Sequence, residues 1–399
     1  MFLTPEQQSL LAGDNGPAAQ KAMQILETLG RIYGAERMLP AGSVQVSGVS
    51  YANLDEAGLN WLAEMAAGGG KAQVFTTLNP AGMDVENYAA LGIPEDFAVN
   101  QRRVLDAFEQ MGVVTTCSCT PYLFGNLPSF GEHIAWAESS AVCYANSILG
   151  ARTNREGGPS ALAASLTGCT PAYGLHLEEN RQPTLHVLVQ AAIQDNADFG
   201  ALGKAIGDRI QAQNGRRVPY IEGIPNANLE QLKVFCASIA TFGGVALFHM
   251  PGITPEAGKF QPPANPMTIS QADLDQSKTS LTTASPNDVD FYSLGCPHLS
   301  LREIQHIAEL VDGKQVQAEF WITTSRPIKG MADRMGYTAI IEAAGVKFAA
   351  DTCCVVAPIQ GRFKALCTDS AKACYYAAAK NQFQTRLLPF DEVIREAFR

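Results

Sequence analysis

In the last third of the chain, short apolar runs alternate with longer segments whose apolar residues recur every three or four positions. This predicts strands over 288–295, 317–324 and 346–352 and helices over 301–310 and 329–344, because side chains alternate along a strand and share a helix face at that spacing. Strand, helix, strand is the grammar of an α/β fold, with mainly parallel sheets flanked by helices and ligands at the C-terminal strand ends. The first hundred or so residues read the same way. Thr4 caps a helix, Pro5 sits at its first position, Gln7 completes a capping box and Gly13 ends it. Met23, Ile25, Leu26, Leu29 and Ile32 carry a second helix over 17–34. Strands follow over 43–49 and 71–77, separated by a helix over 53–67, and a further helix spans 100–112. The middle of the chain predicts strands over 113–116, 184–192 and 245–250 and helices over 198–214 and 229–240. The Pro/Ser/Thr-rich stretch 251–287 reads as a connection with a short helix near Gln271.

A chain of 399 residues exceeds one ordinary core. We expect three subdomains: an N-terminal α/β unit over 1–110, a central α/β unit with a substrate loop over 111–285, and a C-terminal α/β unit over 286–399. There is no internal repeat and no low-complexity run. With 46% hydrophobic and 17% charged residues the chain is globular, and the low charge hints at surface covered by a partner. A net charge of −10 opposes nucleic-acid binding, which needs clustered Lys and Arg. The N-terminus lacks the basic and apolar regions of a signal peptide, and no apolar run is long enough to cross a membrane. A soluble, cytoplasmic protein is expected, whose ten cysteines are thiols or metal ligands in preference to disulfides.

Residues 111–160 do little to build a core. A Cys-Ser-Cys-Thr-Pro turn leads into a Gly/Pro/Asn loop and then a dense set of hydrogen-bonding groups, including Glu138, Ser139, Asn146, Arg152, Asn154, Arg155 and Glu156. Such a stretch reads as the floor of a site for a small polar ligand. Cys119, Cys296 and Cys353 each follow a predicted strand in a tight turn, and a parallel sheet gathers such ends on one side. Three soft thiolates suit an iron–sulfur cluster or zinc; equally, each cysteine is an ordinary small residue in a crowded turn. No Cys-x-x-Cys is present, and Cys117 and Cys354 stand beside two of the three as alternatives.

Cys119-Thr-Pro-Tyr122, the run from Gly131 to Ala141, the run from Asn146 to Gly158, Gly295-Cys-Pro-His-Leu-Ser300 and Asp351-Thr-Cys353 together resemble the aconitase X family, specifically its large subunit or catalytic domain. The resemblance runs over nearly the whole chain and implies an aconitase-like multi-subdomain architecture. One departure is Cys354, where the family pattern has proline. The resemblance implies a hydro-lyase that dehydrates a small hydroxy acid, with Cys119, Cys296 and Cys353 as ligands of a cluster of the [4Fe-4S] or [2Fe-2S] type. It further implies a base on a small swivelling domain, fused or separate, which is expected here on a small partner subunit.

Dehydrating such an acid needs cations for the carboxylate and a Lewis acid for the departing hydroxyl. Arg152 and Arg155 are the candidate anion binders. Glu138, Ser139, Asn146 and Asn154 are candidates for the substrate amine or hydroxyls, and Thr76, Thr77 and Asn79 lie at another strand end. His298 is a candidate to ligate or orient the cluster. The modest charge content resembles an ordinary mesophile and favours cis-3-hydroxy-L-proline, giving Δ1-pyrroline-2-carboxylate, over the alternative substrate, phosphomevalonate. The non-enzymatic alternative is a small-acid-binding scaffold with structural cysteines.

Overall fold

The computed structural model describes residues 1–211 and 215–399. Its strands are β1 (Met38–Pro40), β2 (Ser43–Val46), β3 (Phe75–Leu78), β4 (Ala135–Trp136), β5 (Cys169–Pro171), β6 (Leu185–Val189), β7 (Pro219–Glu222), β8 (Met267–Ile269), β9 (Phe291–Leu294), β10 (Glu319–Thr324), β11 (Lys347–Ala350), β12 (Ala365–Thr368) and β13 (Gln384–Leu387). They form three parallel sheets, ordered β3-β2-β4, β7-β6-β8 and β11-β10-β9-β12-β13, plus an antiparallel β1–β5 pair. Helices cover the sheet faces, so the strands are largely buried. The architecture is the expected α/β class. No helix among the described residues is long and apolar enough to cross a membrane.

Local chemistry explains most boundaries. Thr4 and Gln7 form the expected capping box at the helix Pro5–Ala12, and Gly13 closes it at φ 96°. Ser300 and Glu303 form another at the helix Leu301–Val311. The helix predicted over 329–344 is two, Arg326–Met335 and Tyr337–Ala343, because Gly336 turns left-handed between them at φ 78°. The run 245–250 is not a strand: Val245, Leu247, Phe248 and Met250 are buried by neighbouring elements, and only His249 bridges to Tyr220. Likewise 113–116 contributes a single bridge, Val114 to Thr77. The helix expected over 198–214 runs Asn196–Ile210, and its expected end lies outside the described residues. Seven strands escaped the sequence pattern: β1, β4, β5 and β7, of two to four residues each, and β8, β12 and β13. β8 is short and sits in the Pro/Ser/Thr-rich connection, while β12 and β13 have four residues each with no clear alternation.

Candidate active site

The C-terminal edges of the first and third sheets face each other. Ser47, Asn79 and Glu138 follow β2, β3 and β4, while the turns bearing Cys296 and Cys353 follow β9 and β11. The edges are joined by backbone and side-chain bonds: Ala81 N–H donates to Asp351 O (2.8 Å), Ala350 N–H to Asp84 Oδ2 (2.9 Å) and Ser50 Oγ–H to Val356 O (3.0 Å). Arg326 bridges Asp84 and Asp351 across the same seam. Buried Gln101 holds the arch after β2, accepting from Tyr51 N and Gly82 N and donating to Val49 O.

Between the edges lies a cavity of about 230 Å³, lined in part by Ser47, Asn53, Asn79, Glu138, Ser139 and Arg155 from one side and Val355, Val356, Lys372, Tyr376 and Lys380 from the other. Three other clefts are larger but wrong in chemistry for a small anion. One of about 670 Å³ is walled by carboxylates, Glu230, Glu303, Glu309, Asp391 and Glu392 among them, that outnumber Arg302 and Arg395. One of about 500 Å³ is almost wholly apolar, and one of about 440 Å³, lined by residues 221–225 and Pro251, has Glu222 as its charged side chain. In the small cavity, Lys372 Nζ donates to Glu138 Oε1 at 2.5 Å, with both side chains nearly buried. Burial raises the Glu138 carboxyl, but the Lys372 ammonium and donors from Ser140 and Ala141 outweigh it and leave it below the usual range. Burial alone lowers Lys372; the Glu138 carboxylate reverses that and holds the amine charged. Lys380 donates to Val355 O, and its pKa is lowered by burial. Asn79 Oδ1 is buried with no partner, as is Thr352 Oγ1 beside Cys353.

Lys372 acts electrostatically on Cys119, Cys296 and Cys353, and Cys353 interacts with both of the others. All three thiols are buried and raised in pKa by desolvation, Cys296 to about 12. Each has donors: His298 N–H reaches Cys119 Sγ at 3.3 Å, the Val355 and Val356 N–H groups serve Cys353, and Ser370 serves Cys296. Of the alternatives, Cys117, at φ 45°, looks toward Ala81 and Asp351, whereas Cys354 lies within electrostatic reach of Cys353 and Cys296 while its thiol meets Ser293. Among the described residues no three His, Cys, Asp or Glu groups crowd around a point fit for a single metal ion. A polynuclear cluster differs, because each thiolate binds its own iron; three soft sulfurs with N–H donors and a facing cation are a donor set that fits one.

The remaining sequence candidates divide. Glu138, Ser139, Asn79 and Arg155 reach the cavity. Thr76 bonds Ser165 and Val74 O, and Thr77 bonds Val44 O and Asn126, all inside the first core. Asn146 is used up on Thr153, Ala246 O and Arg181, and Asn154 on Tyr173 O and Leu175 N. Arg152 pairs with Glu178 and donates to His176 O. Lys372, Lys380, Asn53 and Ser47 were not legible as site residues.

Asp369 precedes Ser370, which caps the helix Ala371–Ala379 that carries Lys372. Burial, with the Glu303 carboxylate adding, pushes its carboxyl up to about 7. Against an unfolded value near 4, the stability its protonated form contributes is complete below about pH 4 and lost as pH rises through about 7. Asp369→Asn should therefore gain thermal stability relative to the native chain between pH 5 and pH 8. Melting curves showing a pH-independent difference would exclude this.

The chain matches the models of the aconitase X first domain over residues 1–179, second domain over 183–279 and third domain over 289–399. It is 44% identical to the phosphomevalonate dehydratase large subunit of Thermococcus kodakarensis, covering 100% of both chains. To that of Methanothermobacter thermautotrophicus it is 45% identical over 94% of each. The cis-3-hydroxy-L-proline dehydratase of Hypocrea jecorina is 33% identical over 94% of this chain, which spans 65% of that protein. A crystal structure of Thermococcus kodakaraensis aconitase X in its holo-form superposes with a TM-score of 0.92 at 43% identity, covering 100% of both chains. With models of all three domains matched in order and relatives this close over full length, the chain belongs to the aconitase X family of hydro-lyases.

Proposed function

We propose that this chain is the large subunit of a phosphomevalonate dehydratase, working with a small subunit. The observation that carries the reading is the gathering of Arg155, Lys372 and Lys380 around one small cavity. Phosphomevalonate has a carboxylate at one end and a phosphate monoester at the other, and two anions call for several cations. A zwitterionic hydroxyproline would leave part of that charge unmatched. Composition, which favoured cis-3-hydroxy-L-proline, misleads because charge content tracks the temperature a fold must withstand and carries no information about the pocket.

In this reading Lys372 neutralises the carboxylate while Glu138 fixes the ammonium, and Lys380 with Arg155 takes the phosphate. Ser47, Asn53 and Asn79 meet the hydroxyls. An iron–sulfur cluster held by Cys119, Cys296 and Cys353, when bound, supplies a Lewis-acidic iron that eases loss of the hydroxyl. The one carboxylate of the cavity, Glu138, is held ionised by Lys372 and is a poor proton acceptor. That supports a base from the small subunit, which would also complete a cavity smaller than usual for a ligand site. The test is anaerobic reconstitution with iron and sulfide, followed by assay with and without the small subunit. Dehydration of mevalonate 5-phosphate should exceed that of cis-3-hydroxy-L-proline by about a hundredfold or more. A preference for the proline would refute the substrate, and full activity of this chain alone would refute the split site.

A further inference from the structure

His298 is fully buried and touches all three cysteine-bearing turns. It lies in the Cys296 turn itself. Its Nδ1 is 3.0 Å from Ser118 Oγ, beside Cys119, and its Nε2 is 2.9 Å from Thr352 O, beside Cys353. A carbonyl oxygen can only accept, so Nε2 carries the proton and donates to Thr352; Nδ1 is then the acceptor for the Ser118 hydroxyl. Both ring nitrogens are thereby occupied. The backbone of the same residue donates to Cys119 Sγ, and its carbonyl accepts from Lys233 Nζ at 3.0 Å. Lys233 is itself buried against Glu303 and belongs to the helix Leu229–Gly243 of the second domain. One residue thus ties turns from the first and third domains to a helix of the second.

We infer that His298 is a positioning residue for the cysteine cage: a neutral Nε2–H imidazole that fixes the three thiols relative to one another and does not bind metal itself. The inference rests on the cluster reading above. Three thiolates on separate segments can meet one rigid inorganic core only if their turns keep a common register, and partners outside the ligand shell normally supply that. Ser118 extends the brace, since its Oγ also accepts from Thr120 N and its carbonyl accepts from Gln45 Nε2.

The test reconstitutes the native chain, His298→Ala, His298→Gln and Ser118→Ala with iron and sulfide under anaerobic conditions, in complex with the small subunit. Iron per chain, visible absorption, loss of iron to a chelator and pulsed EPR of the paramagnetic cluster are then read. The native protein should show no strongly coupled imidazole nitrogen. His298→Ala should lose iron about tenfold faster or more and shift the EPR g values. His298→Gln, whose amide can still donate to Thr352 O, should recover part of both. Ser118→Ala leaves the imidazole and its Thr352 bond in place and should show a smaller change in the same direction, which decides the matter if His298→Ala fails to fold. A directly coordinated imidazole nitrogen, or variants that hold iron with native kinetics and g values, would overturn the inference. A native chain that takes up no iron and sulfide would instead defeat the cluster reading itself.

Discussion

Lys372→Met should lower kcat/KM for phosphomevalonate by roughly thirtyfold to several thousandfold, the range set by the 2–5 kcal/mol that follows loss of one member of a buried, hydrogen-bonded charge pair. Two effects are mixed in that number. Removing the ammonium takes away the cation between the thiols and Glu138, and it also strands the Glu138 carboxylate in a buried site. The second effect costs stability, about 3–5 kcal/mol, and says nothing about chemistry. Pairing the change with Glu138→Gln separates them. The double variant has no stranded charge, so its melting temperature should return most of the way, while its activity should stay low because nothing replaces the cation. Steady-state kinetics of the complex, with iron content checked first, make the comparison. Near-native kcat/KM in Lys372→Met, at normal iron loading, would remove Lys372 from the substrate site.

That lysine also marks where the sequence stopped being readable. The third sheet was largely legible because β9, β10 and β11 alternate with amphipathic helices, and the Cys296 and Cys353 turns were placed correctly as strand ends for the same reason, whereas the strand expected ahead of Cys119 is a single bridge. The helix bearing Lys372, with Lys380 just after it, has the sequence Ala-Lys-Ala-Cys-Tyr-Tyr-Ala-Ala-Ala-Lys, which carries no sign of a site. Its meaning comes from β12, which runs parallel to β9 and so delivers the helix N-terminus to the edge where Cys296 sits. β12 is Ala-Leu-Cys-Thr, buried on both faces and without the alternation that betrays a half-exposed strand. Had those four residues been recognised, Ser370 would have placed Lys372 at the site. Asn146 and Asn154 show the converse. Polar residues in a Gly-rich loop satisfy loop backbone as readily as ligand, and spacing does not say which.

Arg181→Met should cost about 3–5 kcal/mol of stability, or on the order of 5 °C in melting temperature for a chain of this length. Arg181 is fully buried, and every N–H of its guanidinium has an acceptor. Nε and one terminal nitrogen donate to Glu256 Oε2 at 2.8 and 2.5 Å; the others reach Asn146 Oδ1, Asn146 O and Leu175 O, each at 3.1 Å. Its own carbonyl accepts from His249 Nε2 at 2.8 Å. Removing the side chain leaves the Glu256 carboxylate buried with only Lys259 near it and frees three acceptors that water cannot easily reach. Arg181→Met with Glu256→Met exchanges the ion pair for apolar volume and should cost much less than the sum of the single changes, since a buried pair is nearly balanced by its own desolvation. The consequence reaches the active site through Asn146, whose side chain also holds Thr153, just ahead of Arg155 at the cavity. Arg181→Met should therefore raise KM more than it lowers kcat, and the double variant should keep that defect while regaining stability. Thermal melts beside steady-state kinetics on the reconstituted complex decide it, and a double variant no more stable than Arg181→Met would mean that the pair is not the source of the cost.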